Sequence, residues 1–508
     1  MTTATVKRIA ISASVAATLV LAGCADMGHV PSPERSVDPA SLDVGHAIRE
    51  ANIDARWPSE QWWTAFGDPQ LDAWVESAIG GNPSLAAAQA RVREAQEMVG
   101  VARSAMAPQV DGNLSIQRQS WPNNAFYGPG PYADATTWNN TGALSLSYHL
   151  DIWAKDKNAT LKALDLVHAT VADERAAQLE IEANVVRSYI DLSLHDALLD
   201  IANTALDEQK SIADIAERRL RGGLGTQLDV TQAQAPVPDY ARRVDDIEES
   251  VALDKNRLAA LAGKGPGAGD AITRPTLSLG EPQGLPSALP ADLIGHRPDV
   301  VAARWTVAAQ ARDIDISKAA FYPDVNLLAS IGGDAAGGPL FAFLKPALGQ
   351  WTAGPAASLP ILNGGRLRSE LGAASAGYDE AVDAYDQTIV DALKQISDQV
   401  IQLRSLQTQQ VDADRSEALA GKNYDLAKRA YARGLTDDVN VLVAQQQRLR
   451  AQESVATVEA DRLEHRATLA VALGGGLDAP SDSPTPAQSL PAPRIRAFDI
   501  GDASHSPP

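Results

Sequence analysis

Arg429-Ala430-Tyr431-Ala432-Arg433-Gly434-Leu435-Thr436-Asp437-Asp438-Val439-Asn440-Val441-Leu442 is where one very long helix stops and another starts. It lies inside Asn363 to Gly474, a stretch that no proline interrupts. Upstream of the turn, Tyr378, Val382, Tyr385, Ile389, Leu393, Ile396, Val400 and Leu403 recur three or four apart. That is the spacing of a packed helix seam. An arm of roughly 65–70 residues, rising ~1.5 Å each, spans about 100 Å. No compact domain needs a rod of that length.

The stretch occurs twice. The first half of the chain carries Arg218-Arg219-Leu220-Arg221-Gly222-Gly223-Leu224-Gly225-Thr226-Gln227-Leu228-Asp229-Val230. Its Gly223-Leu224 lies 211 positions before Gly434-Leu435. Pro108 of Ala107-Pro108-Gln109-Val110 lies 215 positions before Pro323 of Tyr322-Pro323-Asp324-Val325. A nearly constant offset over so long a span indicates a tandem duplication. Asn82-Pro83 opens a helix running to about Met106, and Arg297-Pro298 opens its counterpart.

The organisation follows. Residues 57–263 form the first repeat, with a β-hairpin at about 109–152 and a long helical hairpin at about 153–262. Its first arm is expected over Asp151 to Arg221 and its return over Thr226 to Ala262. Pro236 and Pro238 should kink the return, and the second repeat has no such pair. A Gly/Pro-rich linker at 264–290 leads to the second repeat at 291–475, with a β-hairpin at about 324–362 and a helical hairpin at about 363–474. Residues 476–508 read as a disordered Pro/Ser-rich tail.

Hydrophobic residues make up 45% but aromatics only 5%, so small apolar side chains dominate, as suits closely approaching helices. The net charge of −20 argues against a nucleic-acid partner, which needs a basic face. It fits either a solvated acidic surface or a lumen that prefers cations. None of the eight histidines forms HExxH or another metal spacing, and a single cysteine allows no disulfide framework. The sequence therefore points to no catalytic residue, metal or cofactor, and the chain is not expected to be an enzyme.

At the N-terminus, Lys7-Arg8 precede an uncharged run from Ile9 to Ala25 that ends Leu21-Ala22-Gly23-Cys24. This reads as a signal peptide over 1–23. Leu-Ala-Gly-Cys resembles the bacterial lipobox, in which the cysteine is acylated, palmitate included. Cys24 is then the lipidated residue of a polar, extended, lipid-anchored arm at 24–56, and several acyl chains give stable anchoring. The alternative is an ordinary signal peptide with an incidental cysteine.

After Pro108 the period changes to two. Val110, Gly112, Leu114 and Ile116 alternate with Asp111, Asn113, Ser115 and Gln117, and the pattern returns at Leu144, Leu146, Tyr148 and Leu150. Trp121, Phe126, Tyr127, Tyr132 and Trp138 cluster near the turn between them. The second copy has Val325, Leu327, Ala329 and Ile331, then a loop to Gly349 and a return from Trp351 to Leu362, which Pro355 and Pro360 weaken as a strand. Strands of about ten residues with one wet face fit a membrane barrel. A half-buried soluble sheet is the alternative. Four strands cannot close, and an open edge in lipid is costly. If these strands span a membrane, copies must share the barrel: two copies give eight strands and three give twelve.

These features together resemble the TolC-like outer-membrane efflux protein family, in particular its OprM-type (NodT-type) lipoproteins. The matching residues are Leu21 to Cys24, Trp62-Trp63 with Gly67-Asp68-Pro69, Asn82-Pro83, Leu285-Pro286-Ser287, Arg297-Pro298-Asp299-Val300, Ala320-Phe321-Tyr322-Pro323, Pro360 to Arg366, and the two Gly-Leu tips. The resemblance covers about 21–475. It implies a mainly α fold with a transmembrane β-barrel part: a homotrimer with a twelve-stranded barrel in the outer-membrane lipid and a long periplasmic α-barrel. It further implies a periplasmic adaptor (a membrane fusion protein) and an inner-membrane RND-type transporter as partners. The function implied is the exit duct of a tripartite drug-efflux pump. An exit duct for protein secretion, or a lipid-anchored periplasmic coiled-coil structural or adaptor protein without a pore, are the alternatives.

By the same resemblance, Gly222, Gly223, Leu224, Thr226, Gly434, Leu435 and Thr436 are expected to dock the adaptor. At the second tip the family often reads Leu-Leu-Asp-Ala-Gln-Arg, where this chain has Val443 for the acid and Gln446 for the arginine. A constriction built on Val439 and Val443 remains open to it, since apolar narrowings gate by dewetting. Asp229, Asp437 and Asp438 are candidate acidic rings. For each of these residues a solvated turn or plain packing position is the alternative.

Overall fold

The structure is a computed structural model, and it describes residues 27, 34–49, 57–122, 132–278, 295–337 and 339–476. The signal peptide, Cys24, Leu285 to Ser287 and the tail beyond residue 476 lie outside them, as do Phe126 and Tyr127.

In chain order the helices and strands are α1 (Gly45–Arg49), α2 (Pro69–Gly81), α3 (Pro83–Ser104), β1 (Gln109–Ser120), β2 (Thr136–His149), α4 (Lys155–Arg221), α5 (Gln227–Gln234) and α6 (Val237–Leu261). The second half follows with α7 (Pro298–Ala319), β3 (Asp324–Ala336), β4 (Gly349–Ser358), α8 (Arg366–Ala432) and α9 (Asp438–Ala472). The chain is mostly helical, and α4 and α8 each run 67 residues. At ~1.5 Å per residue each is about 100 Å long.

Both long arms begin later than the periodicity suggests. The first is expected from Asp151, but Ala154 takes a left-handed φ of 58° and the helix starts at Lys155. Asp151 caps it from outside, its Oδ1 and Oδ2 accepting from the backbone N–H groups of Asp156 and Lys157 at 3.1 and 2.8 Å. The second arm waits for Arg366, because Gly364 and Gly365 both take left-handed φ. The return of the first hairpin breaks between Gln234 and Val237, at Ala235-Pro236. Pro236 keeps helical angles, so the break is a kink rather than a reversal.

The repeats close on themselves by one device made from different residues. Asn82, before Pro83, donates from Nδ2 to the Leu261 carbonyl at 2.8 Å. Arg297, before Pro298, donates from Nη1 to the Ala472 carbonyl at 2.9 Å. Leu261 and Ala472 are 211 positions apart. Buried Arg297 is neutralised by Asp299, which it meets through Nε at 3.0 Å and Nη2 at 2.6 Å. Such forked pairing is what lets an arginine be buried.

The main core gathers Trp62, Trp63 and Phe66 with Leu71, Val75, Leu85, Val185, Tyr189 and Leu258. Trp62 donates its indole N–H to buried Glu182 at 3.0 Å, and burial pushes that carboxyl's pKa up. Part of the segment between the repeats also packs here. Ile272 is buried in this core, and Thr276 N–H donates to Asp68 at 2.7 Å. Residues 34–49 of the N-terminal arm lie along α8. Glu34 and Val37 donate backbone N–H groups to Asp379 and Asp386, and Ile48 is buried against Tyr385 and Ile389.

The four strands form one antiparallel sheet in the order β1-β2-β3-β4. The middle pair, β2 and β3, joins the two repeats, with Leu144 opposite Ile331 and Leu146 opposite Ala329. Pro355, which counts against a strand, sits within β4 opposite Leu327. It is tolerated because β4 is an edge and one of its sides carries no ladder.

Candidate functional site: the hairpin tips and the sheet

The two tips are built from the helix ends inward. Gly223 (φ 70°) and Gly434 (φ 71°) take the left-handed conformation that ends a helix. Leu224 N–H then reaches back to the Arg219 carbonyl at 2.8 Å, and Leu435 N–H to the Ala430 carbonyl at 2.9 Å. Gly223 and Gly434 N–H bond the Leu220 and Tyr431 carbonyls. The two patterns are the same Schellman closure. Leu224 and Leu435 are thereby thrust outward, 75% and 76% exposed. Gly222 and Thr436 complete the turns.

The next helices are capped by unlike residues. Thr226 and Asp229 form a capping box: Asp229 N–H donates to Thr226 Oγ1 at 3.3 Å and Thr226 N–H to Asp229 Oδ2 at 2.8 Å. In the second repeat Asp437 Oδ1 accepts from Asn440 N–H at 3.2 Å and from Asn440 Nδ2 at 2.6 Å. Asp229 and Asp437, candidates for acidic rings, thus serve as helix caps. Asp438 is 6% exposed, and its Oδ2 has no hydrogen-bond partner among the described residues. Val439 and Val443 are half exposed, one turn apart on α9, and exposed Gln446 follows three positions on. The structure therefore puts Val439, Val443 and Gln446 on one face, while Asp229 and Asp437 cap helices at the turns and Asp438 is buried.

What welds the tips together is not apparent in the sequence reading. Ile212, Ala213 and Ala216 of α4 meet Val230 and Ala233 of α5, Tyr424 and Tyr431 of α8, and Val441 and Ala444 of α9. Gln209 Nε2 donates to the Ala233 carbonyl at 2.7 Å, and Gln445 Nε2 to the Ala205 carbonyl at 3.3 Å. Arg448 meets Glu208 at 2.8 Å and stands 5.0 Å from the Tyr424 ring. Arg219 lies 4.9 Å from the Tyr431 ring and donates to that residue's carbonyl at 3.3 Å. Burial pushes the Tyr431 phenol above its ordinary pKa, outweighing Arg219. Two tyrosines seven apart, in a chain with so few aromatics, are the signal that could have found this cluster.

The sheet separates its two faces by register. Val110 pairs Leu146, which pairs Ala329 and through it Ala353; Leu144 pairs Ile331, which pairs Trp351. These apolar side chains are largely exposed. The opposite face carries Asp111, Asn113 and Ser115, with Ser330 against Thr352 at 2.8 Å and Thr141 against Asp334 at 3.3 Å. β1 and β4 are open edges. Of the aromatics expected near the turn, Trp121 and Tyr132 have ring centroids 6.0 Å apart, and the Arg118 guanidinium is 5.7 Å from the Trp138 ring.

Where strands meet helices, His149 stands between two carboxylates: Nδ1 on Asp156 and Nε2 on Asp324 at 3.0 Å. Trp153 stacks on Tyr322 with centroids 4.6 Å apart and donates to the Pro323 carbonyl at 2.8 Å. These contacts tie the first repeat to the second below the sheet. His149, Asp151 and Asp156 are the one grouping with metal-ligand spacing among the described residues. Asp151 is already occupied as the cap of α4 and Asp156 by the imidazole, so the set serves as a joint.

Comparison with known proteins agrees with this geometry. Residues 74–264 and 289–475 match the profile of the family described as Outer membrane efflux protein. The fusaric acid resistance protein FusA of Burkholderia cepacia is 58% identical over 365 residues, covering 72% of this chain and 69% of that protein. The multidrug resistance outer membrane protein MdtP of Escherichia coli is 26% identical, covering 93% and 97%. Among solved structures, the outer membrane protein VceC of Vibrio cholerae superposes with a TM-score of 0.75 at 32% identity, over 83% of this chain and all of that one.

Proposed function

The chain belongs to the outer membrane efflux protein family, and on that premise we propose that three copies form the exit duct of a tripartite efflux pump. The protein is an outer-membrane efflux channel, mostly helical with a β-barrel part. The observation that carries the trimer is the sheet: four strands, apolar on one side and polar on the other, with both edges open. In lipid those edges need partners. Equivalent edges of three copies supply them in a twelve-stranded barrel, polar face inward, standing on α4 and α8 as the tunnel wall.

Cys24 carries the lipid anchor at the head of the arm. The Leu224 and Leu435 tips meet a periplasmic adaptor, which couples the duct to an inner-membrane RND-type transporter. Val439, Val443 and Gln446 line the periplasmic constriction, which closes by excluding water rather than by an acid–arginine latch. Small molecules are the cargo, and the relative named for fusaric acid resistance supports that acid as one of them. The test is the purified protein in lipid: a trimer that conducts ions in planar bilayers is expected. A lipid-embedded monomer, or a trimer that never opens even with Val443 and Gln446 replaced by glycine, would overturn the proposal.

A further inference from the structure

The segment joining β3 to β4 lies on the side of the sheet instead of standing clear of its end. Two glycines make room for it. Gly142 and Gly333 are paired with each other, and Gly142 is opposite Leu114 on the apolar face. A Cβ at Gly142 would come within 2.5 Å of the Phe343 ring, and one at Gly333 would run into the Phe343 carbonyl oxygen. Asn140, fully buried on the same face, donates from Nδ2 to the Leu340 carbonyl at 2.7 Å. Ala342 and Phe343 bury against Ala335. Beyond this level β1 and β2 run on for six more pairs, Ser115–Thr141 to Ser120–Thr136, or about 20 Å.

So fixed, the segment turns its other side chains away from the sheet. Phe341 is 59% and Leu344 70% exposed, and Lys345 between Leu344 and Pro346 is exposed too. Exposed Leu114 lies beside the segment at the level of Gly142, and directly below lie exposed Leu144 and Ile331. Above, Arg118 occupies the same face beside Trp138. We propose that the Leu340–Leu348 segment is a lipid-binding ledge on the outside of the barrel. Phe341 and Leu344 lie among outer-leaflet acyl chains, continuing the apolar band, and Lys345 meets a headgroup phosphate of that leaflet. Aromatic and aliphatic side chains beside a cation are what the membrane interface selects.

The ledge rests on the outer-membrane assignment, and the test separates the two. Single cysteines are placed by Leu344→Cys on the ledge and Ile331→Cys in the band, and labelled with bimane. The unsubstituted chain, whose one cysteine is Cys24, serves as the labelling blank. The protein is reconstituted in nanodiscs of phosphatidylethanolamine and phosphatidylglycerol containing nitroxide-labelled lipid. Both sites are expected to lose fluorescence to the lipid nitroxide and to resist aqueous iodide. Lys345→Glu is expected to lower the phosphatidylglycerol retained per protein in native mass spectrometry. A Leu344 site quenched by iodide, or by neither agent, while the Ile331 site reads lipid, overturns the ledge and leaves the barrel standing. An Ile331 site that reads water overturns the membrane assignment itself.

Discussion

The two tips of this molecule start from one turn and continue differently. At Gly223 and Gly434 the helix endings match bond for bond, and Leu224 and Leu435 are presented alike. Beyond the turn, α5 is an eight-residue helix with its own capping box and a kink behind it, whereas α9 runs 35 residues without a break. The seam between them is equally unlike. Tyr424 of the second repeat is buried where its counterpart 211 positions earlier, Ala213, is small, and the two share one cluster. Duplication has preserved the backbone device that reverses the chain, and the side chains have diverged into a large-against-small fit. One half of the tip continues as an unbroken helix, and the other is a short helix set off by a kink.

The largest test of that contrast is the seam. Tyr424→Ala should destabilise the tip by ~3–5 kcal/mol, because a buried ring leaves a cavity that its neighbours fill poorly. Ala213→Ser, at the equivalent place, should cost much less. Thermal unfolding of the solubilised protein compares the two, and equal losses would refute the unequal division of the seam.

Next is the kink itself. Gln447 stands where Pro236 would fall in the second repeat. Gln447→Pro should cost about 3 kcal/mol or more, since it removes a helix hydrogen bond and clashes with the preceding turn. The double change Pro236→Ala with Pro238→Ala should leave stability unchanged or slightly higher. It should slow hydrogen exchange over residues 227–240, which a merely decorative proline pair would not do.

The caps come third. Asp229→Ala and Asp437→Ala should each cost ~1 kcal/mol, the former confined to short α5 and the latter felt along α9. Amide exchange maps that reach. The smallest stability effect belongs to Leu224→Ser and Leu435→Ser. Exposed positions away from such features shift stability by about 0.5 kcal/mol or less. Adaptor binding by the pair of variants should nevertheless fall, measured by surface plasmon resonance with the purified adaptor.

Much of the fold is legible in the chain of residues alone. Strand period, helix period, the Gly-Leu reversals and the Pro236 kink are local signals, each carried by residues within a few positions of one another. The site is legible in part. Gly223 and Gly434 announce the turns, but Asp229 and Asp437, read as candidates for acidic rings or as solvated turn residues, also cap helices, each engaged by an N–H three residues away. A carboxylate in a turn looks the same in sequence whether it caps a helix or faces a lumen. The arm reads as polar and extended and the inter-repeat segment as a Gly/Pro-rich linker, yet Ile48 and Ile272 are buried in cores built from distant helices.

Sequence by itself determined the length of the rods, the duplication, the alternation of the strands and the places where helices end, because each depends on chain periodicity and on the φ angles that glycine and proline allow. Only the tertiary structure decided that β2 pairs β3 across the repeats, that Tyr424 fills the space beside Ala213, and that Phe343 lies over Gly142 and Gly333. Apart from Phe343 and Gly333, ten positions apart, those arrangements join residues about 200 positions apart, where what matters is the shape each side chain leaves for the other, and no local pattern records that.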